Sequence, residues 1–150
     1  MRTYLVVIDE TAEATVALRF AARRASRTGG QVTVATFLPP REFVQWGAVQ
    51  ATLDEEARER AHALVRRAAG TMLDTLGVRG AVTVAEGDPI DGLRALIAEG
   101  EVTALVLGAA AEGPPGPLVQ HVAGHDIGRL PCPVMIIPGG LDEAAIDRLS

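Results

Sequence analysis

Two hydrophobic periods alternate along the chain. Short, nearly unbroken apolar runs at Thr3–Ile8 (TYLVVI), Val32–Phe37 (VTVATF), Ala81–Ala85 (AVTVA), Ala104–Leu107 (ALVL) and Val134–Ile137 (VMII) read as strands buried on both faces. Between them the spacing becomes helical. From Glu13 to Thr28, Ala14, Leu18, Ala21 and Ala25 share one face, Arg19, Arg23 and Arg27 lie elsewhere, and Gly29-Gly30 stops the helix. Arg41–Ala51 is less regular, with room for a short helix. Thr52 and Glu55 have capping-box spacing, which predicts a long helix burying Leu53, Ala57, Leu64, Ala68 and Met72 and ending near Gly77. Asp88 followed by Pro89 predicts another helix start, with Asp as N-cap and Pro in the first turn, and Ile90, Leu93, Leu96 and Ile97 as its core face. A further helix is predicted from about Leu118 to Arg129, and a short helical tail follows Gly139-Gly140.

Strands alternating with helices predict an α/β fold of Rossmann-like type. Five parallel strands in the order 3-2-1-4-5 carry helices on both faces, joined by right-handed crossovers. The 150 residues fit one domain, 1–138, with a tail at 139–150. In such a sheet, ligands bind beyond the carboxyl ends of the strands where strand order reverses, here between strands 1 and 4. Asp9 ends strand 1. Gly108 ends strand 4 and opens the loop GAAAEGPPGP, which feeds a helix N-terminus. Pro114, Pro115 and Pro117 have no N–H to donate, so the loop's donors are at Gly113, Gly116 and Leu118. No GxxxxGK[ST] occurs, and a stiff Pro-Gly turn is the plainer reading of this loop.

Composition narrows the function classes. The net charge is −5 and all 14 strong bases are Arg, scattered over predicted helix faces. That balance gives no electrostatic footprint for nucleic acid or an anionic membrane. No apolar run approaches the roughly 18 residues of a membrane span, the N-terminus lacks a signal-peptide core, and the single Cys132 suits a reducing compartment. A cytoplasmic protein is therefore expected. Cys132, between Pro131 and Pro133, reads as a small buried thiol. No GxSxG or Ser-His-Asp set can be assembled, and Asp88 and Asp91 read as helix-start acids, so no catalysis is expected. His121 and His125 have metal-ligand spacing but no matching third ligand. Asp126 points about 100° away from His125 on a regular helix, and a solvated face, or a phosphate or dimer contact, is the expectation rather than a metal. Phe43, Val44, Trp46 and Val49 form the most aromatic stretch, read as packing on the sheet edge, with a partner patch or crevice cover as the alternative.

VVIDET at the first strand end, GDPIDGL at the third helix start, LVLGA at the fourth strand end and LPCPVMIIP into the last strand, in this order and spacing, resemble the universal stress protein family. The resemblance implies a stress-response protein, a homodimer paired through the last strands, and in one branch ATP binding. In that branch Asp9 and Phe37 would hold the adenine and ribose, and the phosphates would lie on a motif G-x2-G-x9-G-[ST] after strand 4. This chain departs from that motif. Counted forward from Gly108, the second glycine is Ala111; counted back from Pro131-Cys132-Pro133, the final pair is Gln120-His121. A register beginning at Gly113 and Gly116 reaches Gly124-His125 two residues early. The reading is thus a dimeric binding protein with an altered nucleotide site. The alternative is an ATP- or AMP-binding member with slow hydrolysis. Candidate ligand residues are Asp9, Thr11, Phe37, Gly108, Gly113, Gly116 and His121; the candidate dimer strand is Val134, Met135, Ile136 and Ile137. No cofactor is assigned, ATP entering only through the resemblance, and the edge position of the last strand independently favours pairing with a second copy.

Overall fold

The computed structural model describes residues 1–38 and 47–150. The predicted patch at Phe43, Val44 and Trp46 lies outside the described residues; Val49 is exposed. The elements are β1 (Thr3–Val7), α1 (Ala12–Thr28), β2 (Gln31–Phe37), α2 (Gly47–Leu76), β3 (Gly80–Ala85), α3 (Pro89–Glu99), β4 (Ala104–Ala109), α4 (Pro117–His121), a π-helical segment (Val122–Asp126), β5 (Val134–Pro138) and α5 (Glu143–Leu149). The strands form one parallel sheet, as the alternation predicts, in the order β3-β2-β1-β4-β5 expected as the usual one for such sheets.

Side-chain alternation along each strand feeds two cores. Val6, Val34 and Val106 face α1, α2 and α5, meeting Ala17, Ala21, Val65, Met72 and Ile146. Leu5, Ala35 and Leu105 face the other way, meeting Leu93 and Ile97 of α3 and Val119 and Val122 near α4. The small buried face of α1, including Ala14, Ala17, Ala21 and Ala25, lets that helix lie close to the sheet.

Capping follows local sequence at three helices. Thr11 caps α1, its hydroxyl accepting from the Ala14 N–H, and Gly29 ends the helix in the left-handed region at φ 66°. Asp88 caps α3, accepting from the Ile90 and Asp91 N–H groups, with Pro89 in the first turn. Asp142 caps α5.

The predicted capping box at Thr52 is overturned. α2 begins at Gly47, and the Gln50 side chain donates to Asp54 Oδ1 at 2.7 Å, an i,i+4 bond spanning the supposed boundary. Nothing between Gly47 and Thr52 breaks a helix, so it propagates upstream. Leu53, expected in the core, is 51% exposed. A 30-residue helix is about 45 Å long, whereas the six-residue β3 spans about 20 Å. The helix therefore outruns the sheet, and its buried positions, Val65, Ala68 and Met72, fall in its second half.

The helix predicted over Leu118–Arg129 is also corrected. Regular α-helix stops at His121 and the chain continues with π geometry through Asp126. β4 runs one residue beyond Gly108, which pairs with Ile137 inside the sheet.

Candidate functional site

The carboxyl ends of β1, β2 and β4 and the first turns of α1, α3 and α4 enclose an open crevice of about 610 Å³. It lies where strand order reverses. Leu5 pairs with Leu105 and Val6 with Val106, so on that register Ile8 and Asp9 leave the sheet level with Gly108 and Ala109. Six of the seven predicted ligand residues line this space: Asp9, Thr11, Phe37, Gly108, Gly116 and His121. Gly113 does not. It sits exposed at a left-handed turn, φ 73°, further out on the loop.

Asp9 supports the cap of α1 and lines the crevice at once. Its Oδ1 accepts from the Thr11 N–H at 2.9 Å and from the Thr11 hydroxyl at 2.5 Å. Thr11, not Asp9, is the N-cap, so Asp9 orients the capping residue, and these bonds use only one carboxylate oxygen. The role of Gly108 is close approach. A Cβ there would stand 2.2 Å from the Glu13 carbonyl oxygen, so only glycine lets the first turn of α1 rest on the end of β4. Phe37 forms an aromatic wall whose position depends on another glycine. A Cβ on Gly92 of α3 would lie 2.8 Å from Phe37 Cε1.

On the loop side, Pro115 and Pro117 line the crevice and offer no N–H. The Ala110 N–H is taken by the Pro115 carbonyl at 3.2 Å and the Gln120 N–H by the Gly116 carbonyl at 3.0 Å. Val7, Ile8, Ala14, Ile90, Leu107 and Leu118 complete walls that are mainly apolar.

His121 is half-buried at the far end. Its Nε2 lies 3.4 Å from Arg94 Nη2 and 3.5 Å from Asp126 Oδ2. Arg94 donates twice to Asp126, at 3.0 and 2.9 Å. The hydrogen bonds from Arg94 hold the Asp126 carboxyl below its ordinary range, and the same bonds raise the guanidinium. The solvated face expected for His121 is thus replaced by a crevice wall with an ion pair behind it. The cause is the π segment. Its i→i+5 hydrogen bonding brings residue 126 back beneath residue 121, where a regular helix would carry it round to another face. The same turn sets the His121 and His125 rings 5.1 Å apart, tilted by 33°. Among the described residues no group of three or more His, Cys, Asp or Glu is placed to hold a metal. Burial pushes the half-buried Cys132 thiol up, away from the reactive thiolate.

Arg94, Glu13 and Thr36 carry no mark in the sequence reading, and Asp126 enters it only as a neighbour of His125 turned away on a regular helix. Glu13 alone of the first three has a signal, its place in the first turn after an Asp at a strand end. The Arg94–Asp126 pair joins α3 to the π segment and has no local signature.

Among the described residues β5 is an edge strand, paired with β4 on one side only. Ile137 is buried, Val134 and Met135 are half-buried, and Ile136 is 38% exposed.

The family model described as "Universal stress protein family" matches residues 1–138. The chain belongs to the universal stress protein family. Its solved relatives share the fold at low identity. A universal stress protein family member from Burkholderia pseudomallei superposes with TM-score 0.72 at 21% identity, covering 91% of this chain and 95% of that one. UspA from Lactobacillus plantarum gives 0.74 at 19%, covering 91% and 97%. A universal stress protein from Archaeoglobus fulgidus, solved in complex with dAMP, gives 0.61 at 21%, covering 91% and 97%. No curated protein sequence matches the chain significantly. The matched segment ends with β5, so α5 lies beyond the family match. Among the described residues no helix is long and apolar enough to cross a membrane.

Proposed function

We propose that this universal stress protein is a cytoplasmic, homodimeric binding protein that takes a small nucleotide-type ligand in the crevice and performs no catalysis of its own. One observation carries the reading: Asp9, Thr11, Phe37, Gly108, Gly116 and His121, drawn from separate elements, line a single cavity over the point where strand order reverses. A flat ring fits against Phe37 and the apolar walls. A ribose hydroxyl fits Asp9, a carboxylate acceptor at the rim. The dAMP complex of the Archaeoglobus fulgidus relative, alike in fold, supports a ligand of this class. The nucleotide site is altered at its phosphate end, where prolines and His121 stand on the loop side. Pairing of two copies through β5 is supported by its open edge and by Ile136.

Mass spectrometry of small molecules released from protein purified under native conditions, followed by thermal unfolding with adenosine, AMP and MgATP, tests the reading. The expected result is a co-purifying nucleotide or nucleoside, or a midpoint raised by at least one adenine compound. Recovery of stoichiometric ATP would favour the ATP-binding alternative. Absence of any bound small molecule together with no thermal response to the whole series would overturn the proposal.

A further inference from the structure

The crevice has a charge pattern that bears on its ligand. Among the described residues lining it, the ionisable side chains are Asp9, Glu13 and His121. Glu13 occupies a particular place. Its Cβ is 3.2 Å from where a Cβ of Gly108 would stand and 2.9 Å from that of Gly139, so its stem rises from the joined ends of β4 and β5. That is the base of the loop leading to Gly116 and α4. A phosphate chain running from a sugar at Asp9 toward this loop passes Glu13, which lines the same crevice. Arg94, beside His121, is already bound twice by Asp126, and Arg60 and Arg67 meet Asp9 in a separate cavity between α1 and α2, away from this loop. Pro115 and Pro117 remove donors from the same wall.

Resting on the binding reading above, we infer that the crevice selects a neutral, nucleoside-like ligand over its triphosphate, and that Glu13 sets this selectivity by repelling anionic phosphate. The ring and sugar gain apolar contact and an acceptor in Asp9. Each added phosphate brings negative charge toward Glu13 in a partly desolvated crevice, where like charges are costly. Salt screens that repulsion.

Titration calorimetry of the full chain with adenosine, AMP and magnesium-free ATP tests the inference. Adenosine should bind tightest, AMP less tightly and ATP at least about tenfold more weakly than adenosine. Raising the ionic strength should narrow the gap in the wild-type chain, which needs no variant. Glu13→Gln, checked for folding by circular dichroism, should tighten magnesium-free ATP by roughly tenfold relative to adenosine. Magnesium-free ATP binding tighter than adenosine would overturn the inference and leave the crevice reading standing. A ratio unaffected by both salt and Glu13→Gln would remove Glu13 from the explanation and overturn it too. Failure of all three compounds to bind would overturn the inference together with the reading beneath it.

Discussion

The backbone of Glu13 rests on Gly108, with 2.2 Å between the Glu13 carbonyl oxygen and the place a Gly108 Cβ would take. This contact fixes the first turn of α1 over the end of β4 and so shapes the crevice. Gly108→Ala forces main chain against a methyl group, with no flexible side chain able to yield. The expected cost is about 1–3 kcal/mol, the range for overpacking, read from urea unfolding. Ligand binding should weaken as well, since the strand end and α1 must separate.

Gly92 offers a contrast, because the atom in the way there is the end of a side chain. A methyl group would press on Phe37 Cε1 from 2.8 Å. Alanine is favoured over glycine in a helix by up to about 1 kcal/mol, which offsets part of the strain at this half-buried first-turn position. Gly92→Ala is therefore expected to leave the unfolding midpoint nearly unchanged while weakening ligand binding, as the displaced ring enters the crevice. Parallel unfolding and calorimetry measurements separate the two effects.

The tail helix is tied down by charge and by one buried side chain. Arg19 donates twice to Asp147, at 3.0 and 2.9 Å, and Arg23 lies 2.9 Å from the same carboxylate. Ile146 is 2% exposed between α5 and the sheet side of α1. Ile146→Ala should cost about 2–4 kcal/mol and increase proteolysis near Gly139-Gly140, where the chain leaves the sheet.

Acid should weaken the fold through two carboxyls. Hydrogen bonds from Arg19 and Arg94 hold Asp147 and Asp126 below their ordinary range. A depressed carboxyl binds fewer protons folded than unfolded. Its stabilisation is complete above the unfolded value of about 3.9 and is lost as the pH falls through the lower folded value. Urea midpoints measured downward from pH 6 should drop across that window, and the drop should be smaller in Asp126→Asn/Asp147→Asn. An equal drop in the double variant would contradict this assignment.

The open edge of β5 bears on assembly. Ile136→Lys places a charge on an exposed strand position, a known means of blunting edge pairing. Light scattering should report a dimer for the unaltered chain and a monomer for Ile136→Lys, with the crevice still able to bind ligand.

Much of this architecture is readable in the chain because its determinants are local. Apolar runs such as VVI before Asp9 and LVL before Gly108 mark parallel strands. Their order places both residues at one rim, and Asp88-Pro89 marks a helix start that the structure keeps. What escaped depends on geometry that no short window carries. The start of α2 was misplaced because Thr52 and Glu55 fit a cap equally well inside a continuing helix. The π segment carries no simple sequence pattern, so the meeting of His121, Asp126 and Arg94 was hidden, as any contact across helices is. Gly113 has a backbone donor, as the loop's sequence implies, but the loop turns that position outward.

The most direct test of the account follows backbone amide resonances while adenosine is titrated in. The expected shifts cluster at Asp9, Thr11, Phe37, Gly108, Gly116 and His121. Shifts confined to the opposite rim, around Thr3, Gln31 and Val102, would contradict it.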